Sequence, residues 1–228
     1  MSIYTIADLH LSLDANKSME IFSGWENYVN RIRDGFAKTV SDGDTVVLAG
    51  DLSWGMDLDK SLKDFRFIDQ LPGKKIILKG NHDYFWTTKQ KMDNFFVENS
   101  LNSISILHNN CYVVEDYAIC GTRGWVSDGT EQADQKVILR EASRLETSIK
   151  EGIKTGYPII CFLHYPPIYY NNRCDEILNI LYKYNIKKCF YGHIHGAGKK
   201  NAFTGDYNGT DFTVVSADRL DFTPLRVV

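Results

Sequence analysis

The stretch Pro72-Gly73-Lys74-Lys75-Ile76-Ile77-Leu78-Lys79-Gly80-Asn81-His82-Asp83 decides how this chain is read. Pro72-Gly73 breaks whatever precedes it. Ile76-Ile77-Leu78 is a short apolar run rich in β-branched residues, and it ends in a polar turn, the mark of a buried strand. Gly80 lets the backbone turn sharply without a Cβ clash. An amide, an imidazole and a carboxylate then follow one another. Four other apolar runs end the same way: residues 3–7 in Asp8-Leu9-His10, 45–49 in Gly50-Asp51, 159–163 in His164, and 189–191 in Gly192-His193-Ile194-His195.

Working outward, the residues upstream alternate in type. After the first strand and a loop over residues 11–24, Trp25, Tyr28, Val29, Ile32, Phe36 and Val40 fall at helical spacing. Asp42-Gly43-Asp44 ends that helix, and Leu58, Leu62, Phe65 and Ile68 predict a second one before Pro72. Strand–helix–strand–helix–strand implies βαβ units and a sheet rich in parallel pairs. Downstream, runs at 103–107, 111–114 and 117–121 with brief turns between them read as a β-meander. A long helix is predicted from about Ala133 to Lys154 and another near 174–184. Two last strands are predicted near 211–216 and 224–228. With no Pro-, Gly- or Ser-rich linker, and motifs spread from residue 8 to residue 195, the expectation is one domain over 1–228.

Of 228 residues, 43% are hydrophobic and 24% charged, which is enough for a packed core. The net charge of −3 and the absence of a basic stripe argue against long nucleic acid as a partner. The five cysteines include no CxxC pair, and Cys120, Cys161 and Cys189 lie in apolar runs. That usage, with no basic-then-apolar leader and no run of the ~18–20 apolar residues that spans a bilayer, predicts a reducing, cytoplasmic setting and no membrane partner.

Five of the six histidines, His10, His82, His164, His193 and His195, follow strand-like runs, with His108 set apart; Asp8, Asp51 and Asn81 share that position. In an open α/β sheet such side chains converge outside the carboxyl ends of the strands. Taken singly, each His is most simply a hydrogen-bonded structural residue and each Asp a helix cap. Five such ends in one chain point instead to one shared metal site. Imidazole, carboxylate and amide oxygen without thiolate suit Mn, Fe, Zn, Co or Ni, with Mg less favoured, and exclude a structural zinc site of the finger type.

In this order, Asp-x-His, Gly-Asp, Gly-Asn-His-Asp, a lone His and Gly-His-x-His, the motifs resemble the calcineurin-like metallophosphoesterase superfamily over residues 3–195. Ala7-Asp8-Leu9-His10, Gly121-Thr122-Arg123-Gly124-Trp125 and Leu163-His164-Tyr165-Pro166-Pro167 are similar to a bacterial group of predicted phosphohydrolases. Many relatives carry Gly before the lone His, where this chain has Leu163. The resemblance implies an α/β, four-layer αββα sandwich of two mixed sheets flanked by helices, with two metal ions at its edge. It implies that Asp8, His10 and His195 hold one ion, that Asn81, His164 and His193 hold the other, and that Asp51 bridges them with its two oxygens. Such a pair clamps a phosphoryl group and activates a water for in-line attack. His82 is then the catalytic histidine that assists the leaving oxygen, with Asp83 either orienting its ring or capping the next helix.

The expected activity is hydrolysis of a phosphomonoester or phosphodiester in a small phosphorylated substrate. The rivals are a non-catalytic, metal-bearing scaffold for another protein and a nuclease or nucleotide phosphodiesterase of the same fold. Arg123 is a candidate for holding phosphate, since its fork matches the anion's geometry. Trp54, Trp86, Trp125 and the Tyr165–Tyr170 segment are candidate pocket walls.

Overall fold

The computed structural model describes residues 1–125 and 135–228. The first sheet is built from β1 (Ile3–Ile6), β2 (Thr45–Leu48), β3 (Lys74–Ile77) and β4 (Ile104–Ile106), all parallel, with β13 (Leu225–Arg226) antiparallel on the β1 edge. Helices α1 (Tyr28–Thr39), α2 (Leu62–Gln70) and α3 (Lys89–Glu98) make the crossovers. The second sheet runs β11 (Gly205–Tyr207), β12 (Thr210–Val214), β10 (Lys188–Tyr191), β7 (Ile159–Leu163), β6 (Tyr117–Thr122), β5 (Tyr112–Val114). Its middle four strands are parallel and its two edges antiparallel. Helices α4 (Gln135–Ile153) and α5 (Asp175–Lys183) cover it, and β8 (Ile168–Tyr169) and β9 (Asn172–Arg173) form a separate small hairpin.

The strands read as continuous apolar runs because both faces are buried. Along β2, Val46 and Leu48 face the helices of the first layer, while Val47 joins Ile3, Ile76, Ile160, Phe162 and Phe190 between the sheets. Along β7, Cys161 and Leu163 face α4 and α5, while Ile160 and Phe162 face the first sheet. Helix, sheet, sheet, helix is the four-layer sandwich that the resemblance implied.

The middle of the chain departs from the predicted meander. β4 pairs in parallel with β3 in the first sheet, and only β5 and β6 form a hairpin, in the second. Three adjacent runs thus divide between two sheets, a choice that local periodicity does not encode. α3, whose crossover makes β4 parallel, had no counterpart in the predicted elements. Its buried face is only Met92, Phe95 and Phe96, with Val97 exposed beside them, so its helical period is faint over ten residues. The long helix keeps its predicted inward face of Ile138, Ala142, Leu145 and Ile149 from Gln135 onward; its predicted start at Ala133 lies outside the described residues.

Candidate metal centre

β1, β2, β3, β7 and β10 deliver their carboxyl ends to one edge of the sandwich. The backbone there is held in unusual shapes. Asp8, His10, Asp51 and His193 all have left-handed φ, between 45° and 70°. For residues with a Cβ this costs of order 1–3 kcal/mol each, and such strain concentrates at functional sites. Hydrogen bonds lock it in: the amide of Asp8 donates to Gly50 O, that of His10 to Asp51 O, and that of His193 to both Asp8 carboxylate oxygens at 2.9 and 3.0 Å. The motif glycines are required by close approach. A Cβ on Gly80 would lie 2.0 Å from Asp51 Oδ1, and one on Gly50 2.6 Å from His164 Nδ1.

Around Asp51 the donors converge. Its Oδ1 accepts the His82 amide at 2.8 Å. Its Oδ2 is buried without a hydrogen bond, 3.7 Å from His10 Nε2 and 3.4 Å from His164 Nε2. His164 places its Nδ1 3.0 Å from Ala49 O, so that nitrogen is a donor and Nε2 faces the cage, where a bound cation would take the place of its proton. Nε2 lies 2.8 Å from Asn81 Oδ1, which is itself 3.0 Å from His193 Nδ1. Two overlapping groups result: Asp8, His10 and Asp51, and Asp51, His164 and His193, with ligand atoms within 4.8 Å of one another in each. Lone pairs facing each other at about 3 Å repel unless a cation or proton sits among them. That spacing is also what bonds of ~2.0–2.2 Å give between neighbouring ligands. The orphaned His10 Nε2 and Asp51 Oδ2 make the same point, so the residues fit a metal ion.

Burial dominates the electrostatics. It raises Asp8 above the carboxylate range, partly offset by the His164 charge, and it lowers His10 to about 3 against the pull of Asp51. His195 is also pushed down by burial, opposed chiefly by Asp218. Burial would lower His164 too, but the charge of the Asp51 carboxylate beside it, then that of Asp8, raises it to about 9. Asp51, which burial would raise, is held below its ordinary value by His164, His10 and His82.

Of the ten residues singled out from sequence, Asp8, His10, Asp51, Asn81, His164 and His193 meet in this cage. His195 joins the His10 side, its ring 5.2 Å from that of His10. His164 keeps its place although Leu163 replaces the glycine, because Leu163 is the last residue of β7 and points into the second core. His82 lies at the mouth, its ring 5.8 Å from His10 and its Nδ1 3.1 Å from Tyr84 Oη. Asp83 is held by backbone amides. Its carboxylate accepts the amides of Gly80, Leu52 and Asp51 at 2.6, 2.7 and 3.0 Å, and α3 is capped by Thr88. Asp83 therefore ties the β2 and β3 turns together, and burial lifts it to about 6. Arg123 sits to one side, its guanidinium 3.4 Å from Glu141 and over Trp125. His108 also follows a strand, two residues past β4, which corrects its exclusion from that pattern.

Of the candidate walls, Trp54 packs on His10 and His82 at 5.0 and 4.5 Å, and Trp125 reaches the cage through Tyr165, which lies 4.3 Å from His193. Trp86 lies against Phe85 and His108. Three residues were not read as site residues from sequence, Trp25 having been placed only on a helix face. Trp25 walls His10 and His195, the Ser216 hydroxyl faces Asp8, and Asp218 acts on His195. Ser216 and Asp218 follow β12, the same strand-end signal that marks the other sites.

Two sheets, opposed edges and a cage of carboxylate, imidazole and amide oxygen define a metal-dependent phosphoester hydrolase. The calcineurin-like phosphoesterase model matches residues 1–197, and the chain belongs to that family. No curated protein matches it. Solved structures share the fold. A protein of unknown function from Aquifex aeolicus is 18% identical, with TM-score 0.54 over 99% of this chain and 95% of that one. The phosphopantetheinyl hydrolase from Mycobacterium tuberculosis is 15% identical, with TM-score 0.54 over 100% and 95%. A Thermus thermophilus protein is 14% identical, with TM-score 0.52 over 85% and 81%. Among the described residues no helix is long and apolar enough to cross a membrane.

Proposed function

We propose that this chain hydrolyses a phosphomonoester or phosphodiester bond in a small substrate with two divalent ions held side by side. Asp8, His10 and His195 would hold one, and Asn81, His164 and His193 the other. The observation that carries the reading is Asp51 Oδ2, a buried carboxylate oxygen without a hydrogen bond that belongs to both donor groups. The bridge would be this single oxygen, since Oδ1 is committed to the His82 amide. Mn, Fe, Zn, Co and Ni suit the donor set. When bound, such a pair clamps the phosphoryl group and lowers the pKa of a water between the ions.

The chain's own residues supply the rest. His82 stands at the mouth, where it can give a proton to the leaving oxygen, with Tyr84 at its Nδ1 to steer the ring. Trp54 forms the wall beside it, and Lys17 lies 5.0 Å over the Trp54 ring, closing that side of the cleft. The whole chain then works as one domain. The phosphopantetheinyl hydrolase from Mycobacterium tuberculosis supports the reaction class and leaves the substrate open. The test is a panel of aryl phosphate monoesters and diesters on protein stripped and reloaded with each metal. Hydrolysis that returns only with metal is expected. No turnover with two ions bound would favour a binding scaffold.

A further inference from the structure

Beside the cage, on its Asn81–His164–His193 side, cationic groups outnumber their acceptors among the described residues. Glu141 of α4 is buried and fully used: its carboxylate accepts Thr122 Oγ1 at 2.8 Å, Arg144 Nη1 at 2.7 Å and Arg123 Nη2 at 3.4 Å. Two guanidinium groups share this one carboxylate. Lys79 feels the charges of Arg123, Arg144, Glu141 and Asp83, and among the described residues its ammonium has no hydrogen bond or ion pair. Asp83 cannot serve it, since both its oxygens hold backbone amides. His108 faces the same Arg144, Glu141 and Lys79. Arg123 Nε is buried and has no acceptor among the described residues.

These groups are joined directly to the metal ligands. Lys79 lies two residues before Asn81. The Arg123 carbonyl accepts the amides of His164 and Tyr165 at 3.0 and 2.8 Å. The Arg123 guanidinium rests 4.7 Å over Trp125, which fixes its plane and leaves its edge as donor. A half-buried ammonium without an acceptor, beside two guanidinium groups that share one carboxylate, is costly unless an anion completes the group.

We propose that Lys79, Arg123 and Arg144 form an anion subsite that binds a second anionic group of the substrate, phosphate or carboxylate, while the scissile phosphate occupies the cage. This rests on the phosphoesterase reading and narrows it to small substrates that carry two anionic groups. Charge-assisted hydrogen bonds of this kind give a preference of roughly 10-fold or more.

The experiment measures binding by calorimetry on metal-loaded, full-length His82→Ala protein, with turnover followed separately on the wild type. The probes are 1,4-butanediol bisphosphate, 4-phosphooxybutanoate and 4-hydroxybutyl phosphate. The doubly anionic probes should bind at least ~10-fold more tightly than the monophosphate. The bisphosphate against the phosphocarboxylate tells which second anion is preferred. Adding Lys79→Met should erase most of that advantage. Arg144→Met, at a partly exposed position, carries the test should the Lys79 variant not fold. Equal affinity for all three probes, or an advantage that survives both substitutions, overturns the subsite even if the wild type hydrolyses them. A Lys79-dependent advantage without turnover by the wild type leaves the subsite standing and removes the hydrolytic reading.

Discussion

His10 and His164 flank the same carboxylate oxygen, with Nε2 atoms 3.7 and 3.4 Å from Asp51 Oδ2, and both rings are buried. Their charge states nevertheless diverge in the metal-free protein. At His10, burial outweighs Asp51, and the nearby His195, His82 and His164 add to it, so the ring stays neutral with its pKa down at about 3. At His164, burial is outweighed by Asp51 and then by Asp8, whose Oδ1 is 4.0 Å away, and the Ala49 carbonyl accepts the Nδ1–H hydrogen bond. Its pKa rises to about 9. The two rings are separated by their surroundings. His10 is walled by Trp25 and Trp54, and His164 by acids and a carbonyl. The His10 ring is therefore open to a cation as it stands, while the His164 ring holds a proton that a cation must displace.

Asp51→Asn attacks the point the two halves share. The expected outcome is loss of both proposed ions, read by elemental analysis, with activity at background, since such a pair would carry most of the rate. Loss of one ion alone would break the bridging assignment and make the halves independent. His82→Ala leaves both halves intact. Metal content should be unchanged while kcat falls ~10²–10⁴-fold, the usual worth of a general acid. An unaltered kcat would remove His82 from the chemistry.

Both substitutions were legible before any coordinates, because their residues lie in short motifs at strand ends, where one apolar run followed by one polar turn fixes position. The four-layer architecture was legible only through the resemblance of those motifs. The residues alone implied a parallel-rich sheet, and the division of 103–121 between two sheets depends on the α3 crossover and on pairings far apart in sequence. Residues that act through backbone amides were also hidden. Asp83 looks like a ring-orienting acid or a helix cap, and its three amide partners emerge only when the turns after β2 and β3 are folded together. Tyr84, two residues from His82, carried no motif of its own.

The contrast between the rings also predicts how the metal-free protein responds to pH. His164 has a folded pKa of about 9 against an unfolded value near 6.5, so its contribution is fully present below about 6.5 and lost as pH rises through 9. Asp8, also raised, acts in the same direction. His10, depressed, contributes above its unfolded value and loses that contribution only on acidification. Urea midpoints in chelator should therefore fall between pH 6.5 and 9, by on the order of 2 kcal/mol in stability. Saturating Mn should abolish or reverse the slope, because the ligands must be deprotonated to bind. A chelated protein equally stable at both pH values would mean that the His164 half is not a carboxylate-held imidazolium.

The smallest expected effect lies at the mouth of the cage. Tyr84 Oη is 3.1 Å from His82 Nδ1, but the tyrosine is 46% exposed, so water can take over its hydrogen bond. Tyr84→Phe should keep the metal content and lower kcat by only ~2–10-fold, the range expected for one replaceable hydrogen bond. It should also shift the limb of the pH–rate profile that reports His82, while KM stays close to wild type. A loss as deep as that of His82→Ala would mean that the phenol itself meets the leaving group. An unchanged profile would mean that the His82 ring is held in place without the Tyr84 hydrogen bond.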